Sequence, residues 1–218
     1  MKLLGREIDL AIFDLDGTLL NSTYIWSDID KEFFARRGLE LPADFFDEIC
    51  HLGLTGAAKY TKQKYNLPES EQEIIHEWRD ASVHYYVDII QLKPHVKEFL
   101  DYLKSNGVIL SLATVNDEDL YRPCLERLGI LEYFSLVRDV NSVKEGKESP
   151  KLYESINNHF GIRKENTVIF EDIVLGLKTA HNNGYLTIAV DDDATKDTFI
   201  EKKANSDCYI YDFLELIK

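Results

Sequence analysis

Asp14 and Asp16 stand one residue apart at the end of an apolar run, in the stretch AIFDLDGTLL from Ala11 to Leu20. Carboxylates this close repel and raise one another's pKa values. Other polar side chains close other apolar runs: Thr114 ends VILSLAT, and Glu171 and Asp172 end TVIFED. If these runs are parallel strands of one open sheet, their carboxyl ends form a common crevice. Four acids and a hydroxyl then converge on one edge. A hard cation with oxygen ligands offsets the repulsion. Mg²⁺ suits such a place, since it takes one or two carboxylates and completes its shell with water and substrate oxygens.

The elements that must position these residues alternate in type. Ile8–Asp14, Val108–Thr114, Thr167–Asp172 and Tyr185–Val190 read as buried strands, Cys208–Tyr211 as an edge strand and Phe134–Val140 as a weaker one. Helical patterns lie between them. PHVKEFLDYLKSNG starts at Pro94 and sets Val96, Phe99, Leu100 and Leu103 on one face. In DLYRPCLERLG the proline, Pro123, predicts a helix that begins there. SPKLYESINNHFG and LGLKTAHNNG both close on glycine. The alternation predicts an α/β fold with a doubly wound, Rossmann-like parallel sheet. Residues 21–92 break the rhythm, with the helical patterns DIDKEFFARRG, ADFFDEICHLG, AAKYTKQKYN and SEQEIIHEWRDASVHYYVDII and no strand signal. They predict an inserted all-helical domain, which leaves residues 1–20 and 93–218 as the α/β core.

The 218 residues suffice for such a core with one small insertion. A net charge of −14 argues against nucleic acid and anionic membrane as partners. It permits a small anionic substrate, because charges beyond ~10 Å are largely screened. No apolar run approaches the ~20 residues that span a bilayer, and MKLLGREIDL has no signal-peptide core. Cys50, Cys124 and Cys208 are odd in number and far apart, so a reducing cytoplasm is expected, without disulfides or a zinc site. The absence of a heptad or exposed apolar stripe predicts a monomer. The 6 histidines are scattered and read as surface or core residues, and the acidic run Asp191–Asp193 reads as a solvated loop.

DLDGT, Thr114 after its strand, Lys147 in GKESP and the acidic pair of IFEDIVLG resemble, in order, the four motifs of the haloacid dehalogenase-like superfamily. The helical insertion is similar to the cap of its subfamily I, which includes phosphoglycolate phosphatase and β-phosphoglucomutase. The resemblance runs from about residue 8 to 190. It implies that Asp14 is a nucleophile forming an aspartyl phosphate, and that Asp16 is general acid and then base, brought back by a turn at Gly17. Thr114 and Lys147 would hold phosphoryl oxygens, with Val115 and Asn116 beside them. Mg²⁺ would sit between Asp14, Asp172 and the phosphoryl group, with Glu171 at or near it and the Asp16 carbonyl as a further ligand. Glu148 stands where the family has a proline, and Lys144 and Lys151 compete with Lys147 in the same loop.

These roles imply a Mg²⁺-dependent phosphatase of a small phosphorylated metabolite. A phosphomutase and a non-enzymatic phosphoryl-accepting regulator are the alternatives. β-Phosphoglucomutases carry an arginine where Gly56 stands in HLGLTG (His51–Gly56) and a gating histidine where Trp26 stands, so both departures weigh against a mutase. Trp26, Tyr24 and Leu54 suggest an apolar cap face over the site. An acid at position 16 weighs against both a dehalogenase and a pure acceptor.

Overall fold

Strand β1 (Leu10–Phe13) is buried along its whole length, as an apolar run at the centre of a sheet must be. In the computed structural model, which describes residues 1–217, β1 lies between β2 (Ile109–Thr114) and β4 (Thr167–Glu171). β3 (Leu136–Asp139) flanks β2, and β5 (Leu186–Val190) and β6 (Cys208–Ile210) continue beyond β4. The order is β3-β2-β1-β4-β5-β6, with every pair parallel. This is the doubly wound Rossmann-type order, whose direction reverses between β1 and β4.

The period-two alternation of β1 feeds two cores. Ala11 and Phe13 pack into the larger one, with Phe99, Leu112, Phe170 and Phe213. Leu10 and Ile12 pack into the smaller one, with Leu152, Ile156, Ile169 and Ala180. Phe13 stacks on Phe170, its register partner on β4, at 4.4 Å between ring centroids. Truncating a phenylalanine so placed to alanine costs about 3–5 kcal/mol.

Helix α1 (Thr23–Arg36), α2 (Phe45–Ile49), α3 (Gly53–Tyr65) and α4 (Glu71–His84) form a block between β1 and β2. Ser70 and Glu73 start α4 with a reciprocal capping box. The end of α4 runs into a π-helical turn, Tyr85–Ile89. The block leaves and re-enters the core through a feature too short for the sequence pattern to signal. Leu20–Asn21 pairs antiparallel with Gln91–Leu92, so the two connections form one narrow ribbon.

The later helices are α5 (Val96–Ser105), α6 (Glu118–Arg127), a single turn Val140–Val143, α7 (Lys151–Phe160), α8 (Val174–Asn182) and α9 (Phe199–Ala204). Two predicted starts differ. α5 begins after His95, which takes a left-handed backbone, rather than at Pro94. α6 begins five residues before Pro123: Asp117 holds the extended N-cap conformation, and Glu118 and Asp119 complement the positive end of the helix. The proline is tolerated inside the helix, at the loss of one backbone bond. Among the described residues no helix is long and apolar enough to cross a membrane.

Candidate active site

The parallel register sets the site. Phe13 pairs with Phe170, so the next residues, Asp14 and Glu171, emerge side by side at the carboxyl edge of the sheet. The Asp14 amide still donates to the Phe170 carbonyl at 2.9 Å, which holds the backbone there. Asp172 follows immediately. Asp14, Glu171 and Asp172 are buried, and each offers an oxygen within 4.8 Å of the others.

Lys147 reaches this cluster from the loop before α7. Its buried ammonium donates to Asp14 Oδ1 and, at 2.6 Å, to Glu171 Oε2. Burial alone would lower its pKa, but Asp14 and Glu171 push it well above the usual lysine value, so it stays charged. Lys151, one rival in that loop, pairs with Glu145 at the surface, and Lys144 takes a left-handed backbone at the end of the turn Val140–Val143. Burial raises the Asp14 carboxyl well above its ordinary value; Lys147 opposes this, and Glu171 and Asp172 add to it. Burial likewise raises Asp172 to about 7, with Glu171 and Asp192 contributing.

The remaining bonds of the acids are unequal. Glu171 Oε1 accepts the backbone N–H groups of Asp172 and Ile173 at 3.1 and 3.2 Å, so it also satisfies the loop before α8. Asp172 Oδ1 accepts from Thr18 at 3.1 Å, whereas Oδ2 is buried and has no partner among the described residues. An orphaned carboxylate oxygen beside two other acids is a strong sign of a cation ligand. The hard, all-oxygen set fits Mg²⁺.

Asp16 belongs to a different network. Its Oδ1 accepts from Ser22 at 2.6 Å and from Tyr86 at 2.5 Å, and its Oδ2 accepts from Asn116 at 3.0 Å. Its carboxylate is therefore turned away from the three-acid cluster, towards the helical block. Burial raises its pKa, against the lowering effect of Ser22, Tyr86 and Asn116. Gly17 makes this arrangement possible. Its φ is +84°, and a Cβ there would lie 2.3 Å from Asp172 Oδ2.

Thr114 and Gly17 do not line the cavity; Val115 and Asn116 do. The Thr114 hydroxyl accepts from the Asn116 amide at 3.0 Å. Tyr86 and Asp30 escaped the sequence reading. Tyr86 is carried by the π-helical turn, a local insertion in the helical repeat that frequently marks functional sites. Trp26, placed on the cavity wall as expected, donates to the Tyr86 hydroxyl at 3.3 Å and so extends the Asp16 network. Asp30, one turn further along α1, lines the same cavity. Tyr24 does not line it and is largely exposed.

Opposite the acids, the helical block closes the cavity with Phe46, Ile49, Leu54, Ala57 and Trp78. The space is about 800 Å³ including the solvent at its open mouth. The turn at His51–Gly56 touches the core directly. Gly53 approaches the Val115 carbonyl and Val140 so closely that a Cβ would sit 3.0 and 2.9 Å from them. The Lys147 amide donates to the His51 carbonyl at 3.4 Å. The acidic run after β5 is not simply solvated, in contrast to the sequence reading. Asp192 is buried, accepts from Thr23 at 2.7 Å and pairs with Lys93 at 2.9 Å, which pins the base of α1 to the sheet.

Known proteins resemble this chain in sequence and in fold. Residues 11–190 match the family of haloacid dehalogenase-like hydrolases. A phosphorylated carbohydrates phosphatase of Thermotoga maritima is 22% identical over 177 residues, covering 81% of this chain and 82% of the relative. A phosphoglycolate phosphatase of Neisseria meningitidis is 26% identical over 211 residues, covering 89% and 90%. Among solved structures, CbbY from Rhodobacter sphaeroides in complex with phosphate superposes with a TM-score of 0.82 at 22% identity, covering 96% of each chain. A β-phosphoglucomutase from Clostridium difficile does so with 0.79 at 17%, covering 96% of this chain and 93% of its own.

Proposed function

The chain belongs to the haloacid dehalogenase-like hydrolases, and we propose from this premise that it is a Mg²⁺-dependent phosphatase of a small phosphomonoester, with Asp14 as nucleophile. The observation that carries the reading is the division of labour among the acids. Asp14 sits with Lys147, Glu171 and Asp172, while Asp16 is held apart by Ser22, Tyr86 and Asn116.

In the first half-reaction an Asp14 oxygen attacks phosphorus, and the bond from phosphorus to the leaving oxygen breaks. Asp16 gives its proton to that oxygen, so an alcohol leaves and not an alkoxide. In the second half Asp16 takes a proton from water, whose oxygen attacks the same phosphorus. The bond to Asp14 breaks, and inorganic phosphate departs. Lys147 holds Asp14 in line and neutralises phosphoryl charge, and Thr114, buried off the cavity wall, holds the Asn116 amide in place. Asp14 and Asp172, with Glu171 beside them, would hold Mg²⁺, which supplies orientation and charge neutralisation to the phosphoryl group. The helical block acts as the cap that excludes bulk water and contacts the leaving group.

The apolar cap face favours a phosphatase over a sugar-phosphate mutase. A mutase must hold a hydroxylated ring in two orientations, which needs many polar contacts. The described lining residues include one basic side chain, Lys147, and an opposite wall of Trp26, Ile49, Leu54 and Ala57. The three free cysteines support a reducing, cytoplasmic setting. The deciding experiment is phosphate release from an aryl phosphate, with Mg²⁺, with chelator, and with Asp14→Asn. We expect release that needs the metal and disappears in the variant, whose fold by circular dichroism is unchanged. Full activity in Asp14→Asn overturns the mechanism.

A further inference from the structure

The cavity contains one carboxyl group that the proposed chemistry does not use. Thr23, Trp26 and Asp30 follow one another at three- and four-residue spacing on α1, so they share one face of the helix. All three line the cavity. Asp30 is only 5% exposed, and among the described residues nothing pairs with it: burial is the sole influence on its carboxyl, which is raised to about 7. A buried acid without partner is costly to a fold, and in native proteins such groups are paired or bind something. Trp26, Phe46, Leu54 and Trp78 line the same cavity.

Three complements could satisfy it. A metal ion needs several donors, and Asp30 lies outside the three-acid cluster. A polyol would leave most of its hydroxyls against aromatic and aliphatic walls. An ammonium group meets both features, because its charge pairs with the carboxylate while its carbon substituents and charge suit indole faces. The wider charge balance agrees. Mg²⁺ and Lys147 would offset Asp14, Glu171 and Asp172, and Asp16 serves as the proton carrier, so Asp30 is the one lining carboxylate left for a cationic leaving group.

We propose that Asp30 is the specificity residue for a positively charged leaving group, and that the substrate class is the phosphomonoesters of amino alcohols. The inference rests on the phosphatase reading for its turnover and on the Asp30 pocket for its selectivity, so the two are tested separately. kcat/KM is measured by phosphate release for O-phosphoethanolamine against propyl phosphate, and for choline phosphate against 3,3-dimethylbutyl phosphate. Each pair differs in charge and hardly in shape. Glycol monophosphate tests a neutral donor, and an aryl phosphate reports bare phosphatase chemistry.

The expected result is a preference of at least about tenfold for one charged ester over its neutral match, equal to about 1.4 kcal/mol. It shrinks to within about threefold in Asp30→Asn, as loss of the charge pair requires. Aryl phosphate turnover with no charge preference overturns the inference and leaves the phosphatase reading intact. A preference for the glycol ester over O-phosphoethanolamine also overturns it. If no ester is turned over, the phosphatase reading fails and the pocket is read by calorimetry with Mg²⁺. Tighter binding of choline phosphate than of 3,3-dimethylbutyl phosphate then supports the charge pocket, and equal binding refutes it.

Discussion

Replacing Asp30 with asparagine should stabilise the ligand-free protein, and by an amount that depends on pH. In the folded chain the carboxyl titrates at about 7, against an ordinary value of 3.8. The folded state therefore keeps its proton where the unfolded chain has released it, and stability falls as pH rises between the two values. One pKa unit is worth about 1.36 kcal/mol, so the loss is complete above about pH 8 at roughly 4 kcal/mol. Near pH 4.5 only about 1 kcal/mol of it has accrued. Asparagine has the same shape and does not ionise. The stability advantage of Asp30→Asn should therefore widen by about 3 kcal/mol between pH 4.5 and pH 8. Urea unfolding of both proteins at pH 4.5, 6 and 8 reads this directly, and titrations of the other buried acids cancel in the difference. A gap that is constant with pH, or a variant less stable at pH 8, would refute the unpartnered carboxylate.

Asp16→Asn should lower kcat by about 10²–10⁴-fold, since both half-reactions lose their proton carrier. Tyr86→Phe removes a hydrogen bond that lowers the Asp16 pKa. Its kcat/KM should drop about tenfold, and the limb of the pH profile set by Asp16 should move to higher pH. A uniform loss with an unmoved profile would assign Tyr86 to packing alone. Gly17→Ala must fit a Cβ 2.3 Å from Asp172 Oδ2 at φ +84°, so it should cost about 1–3 kcal/mol in urea unfolding and weaken Mg²⁺ binding as well. Mg²⁺ at a hundredfold excess over its Kd should stabilise the protein by about 2.7 kcal/mol, seen as a thermal shift. Asp172→Asn should abolish that shift.

The legible parts of the molecule share a physical cause. Asp14, Glu171 and Asp172 each end a continuous apolar run, and parallel pairing leaves those ends no choice but one edge. Lys147 could be singled out by its order among the motifs, while the geometry that favours it over Lys144 and Lys151 is tertiary. Tyr86 was hidden because a π-helical turn shifts the helical register at the position where it matters. Asp30 was hidden because DIDKEFF reads as an ordinary amphipathic helix, in which an acid is assigned to solvent. Asp192 was hidden for a similar reason: three successive acids suggest water, yet the middle one is buried by Thr23 and Lys93. The paired Leu20–Asn21 and Gln91–Leu92 are two residues long, below the length at which any periodicity exists.

The central place of β1 in the sheet has a consequence for the order in which the molecule can be made. Leu10 faces Ile109 on one side and Thr167 on the other. A chain emerging from the ribosome presents its most apolar strand early, with no neighbour on either flank until those distant segments follow. The helical block, whose ends meet at Leu20 and Leu92, can close in the meantime. Pairings of such long sequence separation form slowly. A nascent chain short of Asp172 thus carries Asp14 without its companions, together with an unpaired strand edge that invites chaperones or aggregation. The reactive centre is complete only once β4 has paired with β1 and Asp172 has been added, so no copy that ends before that residue can carry out the chemistry.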